Sequence, residues 1–197
     1  MKLTLHIWRQ KNRSEKGRMV QYTLDGVSQD SSFLEMLDML NEELTSKGED
    51  PVSFDHDCRE GICGMCGMMI NGLAHGPERG TTTCQLHMRK FKDGDVIHIE
   101  PWRAKAFPVI KDLVVDMDDF FDKFKSVQPF LINDSPPPER ERIQTAAQRE
   151  RYDDTTKCIL CAACTTSCPS FWAQPGYVGP AAIVNAHRFI FDSRDEG

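Results

Sequence analysis

Eight cysteines fall into two groups of four. Cys58, Cys63 and Cys66 form Cys-x4-Cys-x2-Cys, and Cys84 follows after 17 intervening residues. This is the plant-type 2Fe-2S spacing, in which three thiolates ride one tightly wound loop and a fourth arrives from elsewhere. Gly61, Gly64 and Gly67 permit that winding. They also let backbone N–H groups face the sulfurs, where they stabilise added negative charge and tune the potential. The alternative, structural zinc, prefers closely spaced cysteine pairs that together form a tetrahedral four-thiolate site.

The second group, Cys158-x2-Cys161-x2-Cys164-x3-Cys168-Pro169, is the bacterial ferredoxin run. In it the first three cysteines hold three corners of a 4Fe-4S cubane and the fourth ligates another cluster. That leaves both centres short of ligands, because no cysteine follows Cys168. Either the missing partners lie beyond Gly197, or Cys168 folds back to close a single 4Fe-4S site.

Composition bounds the class. The 197 residues are 40% hydrophobic and 27% charged, which allows one or two domains with real cores and excludes a disordered or collagen-like chain. A net charge of −6 argues against nucleic acid as a partner through a broad basic surface. The start, Met1 to Trp8, alternates apolar with polar residues and lacks the apolar segment of a secretion signal. The longest apolar run, Cys158 to Cys164, is seven residues, against roughly 18 for a membrane span. In a reducing compartment, clustered cysteines read as metal ligands before disulfides. Neither a nucleophile triad nor a phosphate-binding glycine loop stands out, so the chain reads as one that moves electrons rather than breaking substrate bonds.

The elements that must position these cysteines follow from periodicity. Leu3, Leu5 and Ile7, then Val20, Tyr22 and Leu24, alternate with polar residues and predict an opening hairpin. Ser32 with Glu35 forms a capping box before Phe33, Leu34, Leu37, Leu40 and Leu44, which recur at helical spacing. Residues 67–70 and 95–99 read as short strands, with turns at Asn71-Gly72 and Asp93-Gly94. The acidic residues of 116–122, interleaved with Met117, Phe120, Phe121 and Phe124, describe an amphipathic helix. Pro136-Pro137-Pro138 favours an extended connection, and from Glu139 onward helix formers dominate, in 139–151 and 180–191. The fold class is α+β: a small mixed sheet clasping one helix, then a helical module.

Four separated motifs resemble the iron-sulfur subunit of succinate dehydrogenase and its relative, quinol-fumarate reductase. They are Cys58-Arg-Glu-Gly-Ile-Cys-Gly-Met-Cys66, Phe107-Pro-Val-Ile-Lys-Asp-Leu-Val-Val-Asp116, Cys158-Ile-Leu-Cys-Ala-Ala-Cys164 with Cys168-Pro-Ser-Phe-Trp172, and Arg188-Phe-Ile-Phe-Asp-Ser-Arg-Asp195. The resemblance implies a β-grasp 2Fe-2S ferredoxin-like domain over 1–107, a connecting segment over 108–138 and a helical bacterial-ferredoxin-like domain over 139–197. It implies an electron path from the FAD of a flavoprotein subunit through 2Fe-2S, 4Fe-4S and 3Fe-4S clusters to quinone. Cys58, Cys63, Cys66 and Cys84 would hold 2Fe-2S, Cys158, Cys161 and Cys164 would hold 4Fe-4S, and Cys168 would serve 3Fe-4S. Pro169, Ser170 and Trp172 would lie near the quinone. A cytochrome b-type membrane anchor would hold the chain at the cytoplasmic face of the bacterial inner membrane. The remaining cluster ligands of such proteins follow the Asp-Ser-Arg-Asp segment, so the expectation is a sequence truncated at its C-terminus.

Two departures stand out. His75-Gly-Pro-Glu-Arg-Gly80 looks like an inserted loop that reshapes one edge and leaves ligation intact, and Ala173 stands where many members have a second tryptophan. No histidine is assigned as a ligand, His56 being the candidate nearest the first cysteine loop. The runner-up function is an electron-transfer subunit of another flavin-linked dehydrogenase, and a third reading is a zinc-stabilised interaction protein.

Overall fold

The opening hairpin forms as the alternation dictates. Strands β1 (Leu3–Arg9) and β2 (Arg18–Leu24) pair antiparallel, with Leu5 opposite Tyr22 and Ile7 opposite Val20. Leu3, Leu5 and Ile7 are wholly buried, while Thr4 and His6 lie on the other face. The structure, a computed structural model, describes residues 1–102 and 106–197, which divide into two units, Met1–Asp116 and Met117–Gly197.

In the first unit, helix α1 (Phe33–Ser46) begins at the capping box. Ser32 Oγ accepts from the Glu35 N–H at 3.2 Å, and the Glu35 carboxylate accepts from the Ser32 N–H at 2.6 Å. The helix ends at Gly48, whose φ of +73° turns the chain. The Gly48 and Glu49 N–H groups then close on the carbonyls of Thr45 and Leu44, a Schellman arrangement. Phe33, Leu34, Met36, Leu37, Leu40 and Leu44 are buried against the sheet, each burial contributing roughly 1.5–3 kcal/mol.

Strands β3 (Met69–Ile70), β4 (Leu73–Ala74) and β5 (Val96–Glu100) complete a five-stranded mixed sheet in the order β2-β1-β5-β3-β4. β1 and β5 run parallel, Leu5 beside Ile97 and Ile7 beside Ile99, and the long crossover between them carries α1 and the cysteine loop. The two-residue turn between β3 and β4 places Asn71 and Gly72 at φ of +51° and +76°, as a type I′ hairpin requires. A sheet clasping one helix is the β-grasp architecture. A separate two-stranded ribbon, β6 (Val109–Lys111) and β7 (Val114–Val115), follows within the stretch that the sequence reads as a connector.

The second unit is helical. α2 (Asp118–Ser126) buries Phe120 and exposes its aspartates, as its pattern predicts. The helix expected over 139–151 shrinks to α3 (Ala146–Glu150), started by a Thr145–Gln148 capping box. Residues 139–144 lack an apolar stripe to bury, and Ile143 is 76% exposed, so propensity alone does not sustain a helix there. Two short helices follow, α4 (Ala163–Thr166), which carries Cys164, and α5 (Pro169–Ala173), which Cys168 precedes, and α6 (Pro180–Ile190) begins with proline in its first turn, as expected.

Candidate iron-sulfur sites

In the first unit the cysteine loop is tied at Arg59 to two other elements. Arg59 adopts φ of +54°, and its guanidinium makes two bonds to the Asp38 carboxylate of α1, at 2.6 and 3.2 Å. The Arg59 carbonyl accepts from Gln85 Nε2 at 2.8 Å, which links the loop to the turn carrying Cys84. Gly61 and Gly64 sit at φ of +77° and +75°, conformations that other residues adopt only under strain. A Cβ on Gly61 would also press on Gln85 and Thr82.

The four thiols form two unlike pairs. Cys66 and Cys84 are buried and hydrogen-bonded to each other, and the Cys84 N–H donates to Cys66 Sγ at 3.4 Å. Burial pushes the Cys66 thiol up to about 11, against the pull of the Cys84 N–H. Cys58 is half-buried and hydrogen-bonded to Cys63. The backbone N–H groups of Glu60 and Ile62 lower the Cys58 thiol to about 6, the Glu60 bond measuring 3.3 Å. Negative charge is therefore stabilised on the Cys58 side and disfavoured on the Cys66 side. An all-sulfur donor set in two pairs, with N–H groups aimed at the sulfurs, fits a cluster of two irons.

Two neighbours escape sequence reasoning. Trp102, 2% exposed, lies against Gly67, the residue after Cys66. His75, from the loop read as an insertion, is buried edge-on to Trp102 with ring centroids 5.5 Å apart, and its Nδ1 lies 3.4 Å from Thr83 Oγ1 beside Cys84. Burial holds its imidazole below the usual histidine range, so the ring packs as a neutral group. The loop therefore begins inside the unit and emerges at its edge, where Pro77, Arg79 and Gly80 are exposed. His56 is exposed beside Phe54.

In the second unit, Leu160 and Ala162 take φ of +57° and +62°, so the chain between Cys158 and Cys164 winds as tightly as the first loop does with glycine. Burial raises the Cys161 thiol, with the Cys164 and Cys158 sulfurs close enough to add to the effect, while the Ala163 N–H opposes it. Cys168 caps α5, and Pro169 takes the first helical position. Pro169, Ser170 and Trp172 are exposed, whereas Phe171 is buried. The Trp172 Nε1–H is engaged with the Thr166 carbonyl at 2.7 Å, so the indole donor is already taken.

The Asp-Ser-Arg-Asp segment acts as a brace. The Asp192 carboxylate, buried, accepts from Arg194 Nη2 at 2.7 Å, from Arg194 Nε at 2.9 Å and from Gln144 Nε2 at 3.0 Å. Gln144 Oε1 accepts from the buried Tyr152 hydroxyl at 2.6 Å. The brace joins the end of α6 to the segment that leads into the turn Asp154–Lys157 and Cys158. Arg194 holds the Asp192 carboxyl well below the usual carboxylate range.

A β-grasp sheet with a Cys-x4-Cys-x2-Cys loop and a fourth cysteine beside it defines an iron-sulfur protein of the ferredoxin class. The chain belongs to the 2Fe-2S iron-sulfur cluster binding domain family, whose model matches residues 4–122, so a 2Fe-2S cluster is its cofactor. Its relatives include the succinate dehydrogenase iron-sulfur subunit of Coxiella burnetii, 39% identical over 78% of this chain and 61% of that protein. The subunit of the same name in Paracoccus denitrificans is 43% identical over 74% and 52%. The mitochondrial succinate dehydrogenase (ubiquinone) iron-sulfur subunit 1 of Oryza sativa subsp. japonica is 39% identical over 98% and 65%. The chain thus spans between about half and two thirds of the length of these relatives. Among solved structures, a chain of the Mycobacterium smegmatis Sdh1 complex in the apo form shares the fold. Its TM-score is 0.74 at 23% identity, covering 98% of this chain and 77% of that one. Among the described residues no helix is long and apolar enough to cross a membrane.

Proposed function

We propose that the chain is the electron-transfer subunit of a succinate:quinone oxidoreductase, working between the FAD of a flavoprotein subunit and membrane quinone. The observation that carries this reading is the pairing, in one chain, of a plant-type and a bacterial-type cysteine set. The second set lies in a separate helical unit, beyond the 4–122 region of the 2Fe-2S family. Relatives at 39–43% identity, named for succinate dehydrogenase, supply the enzyme class.

In this reading Cys58, Cys63, Cys66 and Cys84 hold 2Fe-2S, Cys158, Cys161 and Cys164 hold three corners of 4Fe-4S, and Cys168 serves 3Fe-4S. When bound, such clusters accept and release electrons at potentials set by their surroundings. The chain's own residues hold the sulfurs, exclude water and set the local charge. Arg59 and Gln85 fix the first loop, Trp102 and His75 fill the space behind it, and the Asp192 brace steadies the approach to Cys158. Pro169, Ser170 and the exposed Trp172 form the side offered to quinone. A cytochrome b-type anchor completes the complex at the cytoplasmic face of the bacterial inner membrane.

A tagged chain recovered from host membranes in mild detergent tests the proposal. It should bring a flavoprotein and an anchor with it, and the complex should reduce quinone at the expense of succinate. Recovery with a different flavoprotein, and electron uptake from another donor but not from succinate, would assign the chain to another dehydrogenase.

A further inference from the structure

We infer that Asn185 is a positioning residue that raises the reduction potential of the centre in the second unit by donating an amide N–H to the sulfur of Cys158. The inference rests on the proposed reading of Cys158 as a cluster ligand. Asn185 lies within α6, and its Nδ2 is 2.9 Å from the Ala181 carbonyl oxygen one turn earlier and 3.7 Å from Cys158 Sγ.

The first contact determines the second. A carbonyl oxygen only accepts hydrogen bonds, so the Ala181 contact identifies which end of the Asn185 amide is nitrogen and removes the ambiguity between amide flips. One N–H is engaged there, and the other is free to meet the sulfur, at a distance longer than the 3.3 and 3.4 Å of the backbone N–H bonds to Cys58 and Cys66.

α6 packs on the turn Asp154–Lys157 immediately before Cys158. Its start is fixed by Gly179 at φ of +91°, where a Cβ would lie 2.9 Å from the Phe171 ring, and by Pro180 in the first helical turn. Adding an electron to a thiolate-bound cluster adds a negative charge shared with its sulfurs. A donor on one of them then stabilises the reduced state more than the oxidised state, and the potential rises.

The test is an EPR-monitored redox titration of the intact complex carrying Asn185→Leu or Asn185→Asp, beside wild type. At a fixed solution potential the leucine variant should lower the reduced-to-oxidised ratio of the 4Fe-4S centre by up to tenfold, a downward shift of up to about 59 mV for a one-electron couple. The aspartate variant, with no donor and an added negative charge, should fall at least as far. It is nearly isosteric, and it gives the reading if the leucine variant does not assemble. The 2Fe-2S potential, set in the other unit, should not move. A wild-type 4Fe-4S signal whose potential is unchanged in both variants overturns this inference alone. A wild-type complex with no 4Fe-4S signal overturns the ligand assignment of Cys158 and the inference with it.

Discussion

Gly67→Ala should loosen the first cluster site, and the effect can be worked from the packing around it. A Cβ on Gly67 would stand 2.5 Å from Cζ2 of Trp102 and 2.8 Å from its Cε2 and Nε1. Ordinary contact begins near 3.4 Å, so the groups must part by about 0.9 Å. Trp102 is only 2% exposed and lies edge-on to buried His75, so the ring has little room to retreat. If the indole moves, it disturbs the His75–Thr83 contact beside Cys84. If the backbone moves, it carries Cys66 with it. Overpacking of this kind costs about 1–3 kcal/mol. The assays are thermal melting of the purified protein and iron and acid-labile sulfide per chain after anaerobic reconstitution. Gly67→Ala should melt lower and retain less of the 2Fe-2S cluster. Gly72→Ala, at φ of +76° with nothing within 4 Å of its Cβ, should cost only the backbone strain of about 1–2 kcal/mol and load normally. A Gly67→Ala variant that melts and loads like its parent would refute the role given to Trp102.

Three further outcomes follow from the same geometry. In the metal-free protein, iodoacetamide should modify Cys58 first, with half-maximal rate at about pH 6, and Cys66 last, as read by peptide mass spectrometry across a pH series. Asp38→Asn weakens a half-exposed two-bond pair and should cost about 0.5–1 kcal/mol in urea unfolding while speeding cluster loss to a chelator. Asp192→Asn leaves Arg194 without its carboxylate and should destabilise the second unit by about 1–3 kcal/mol near neutral pH. Because the folded carboxyl lies below its unfolded value of about 3.9, that contribution is fully present above about pH 4–5 and is lost as pH falls further. Urea titrations of the two proteins should therefore converge on acidification.

Much of this architecture was legible in the residues, for reasons that differ by element. The β1–β2 hairpin and α1 announce themselves because a half-buried strand and an amphipathic helix impose periods of two and 3.6, and the capping box marks where one period gives way to the other. The cysteine spacings are legible because ligation fixes how far apart thiols may sit along a loop. The helix expected over 139–151 shrinks to five residues because propensity without an apolar face lacks tertiary support. The β6–β7 ribbon was missed because strands of three and two residues are too short to show a period. His75, Trp102 and the Asp192 brace were invisible as neighbours because their contacts join residues distant in sequence, as when Gln144 meets Asp192. Asn185 carries no signal of its own, because its helix propensity matches that of the valine, histidine and phenylalanine that share α6.

The most direct measurement is EPR of the anaerobically isolated complex after adding succinate alone. A chain that conducts electrons from a succinate-oxidising flavoprotein should develop the signal of a reduced 2Fe-2S cluster, and added quinone should discharge it. Clusters that remain oxidised with succinate yet are reduced by dithionite would contradict the account.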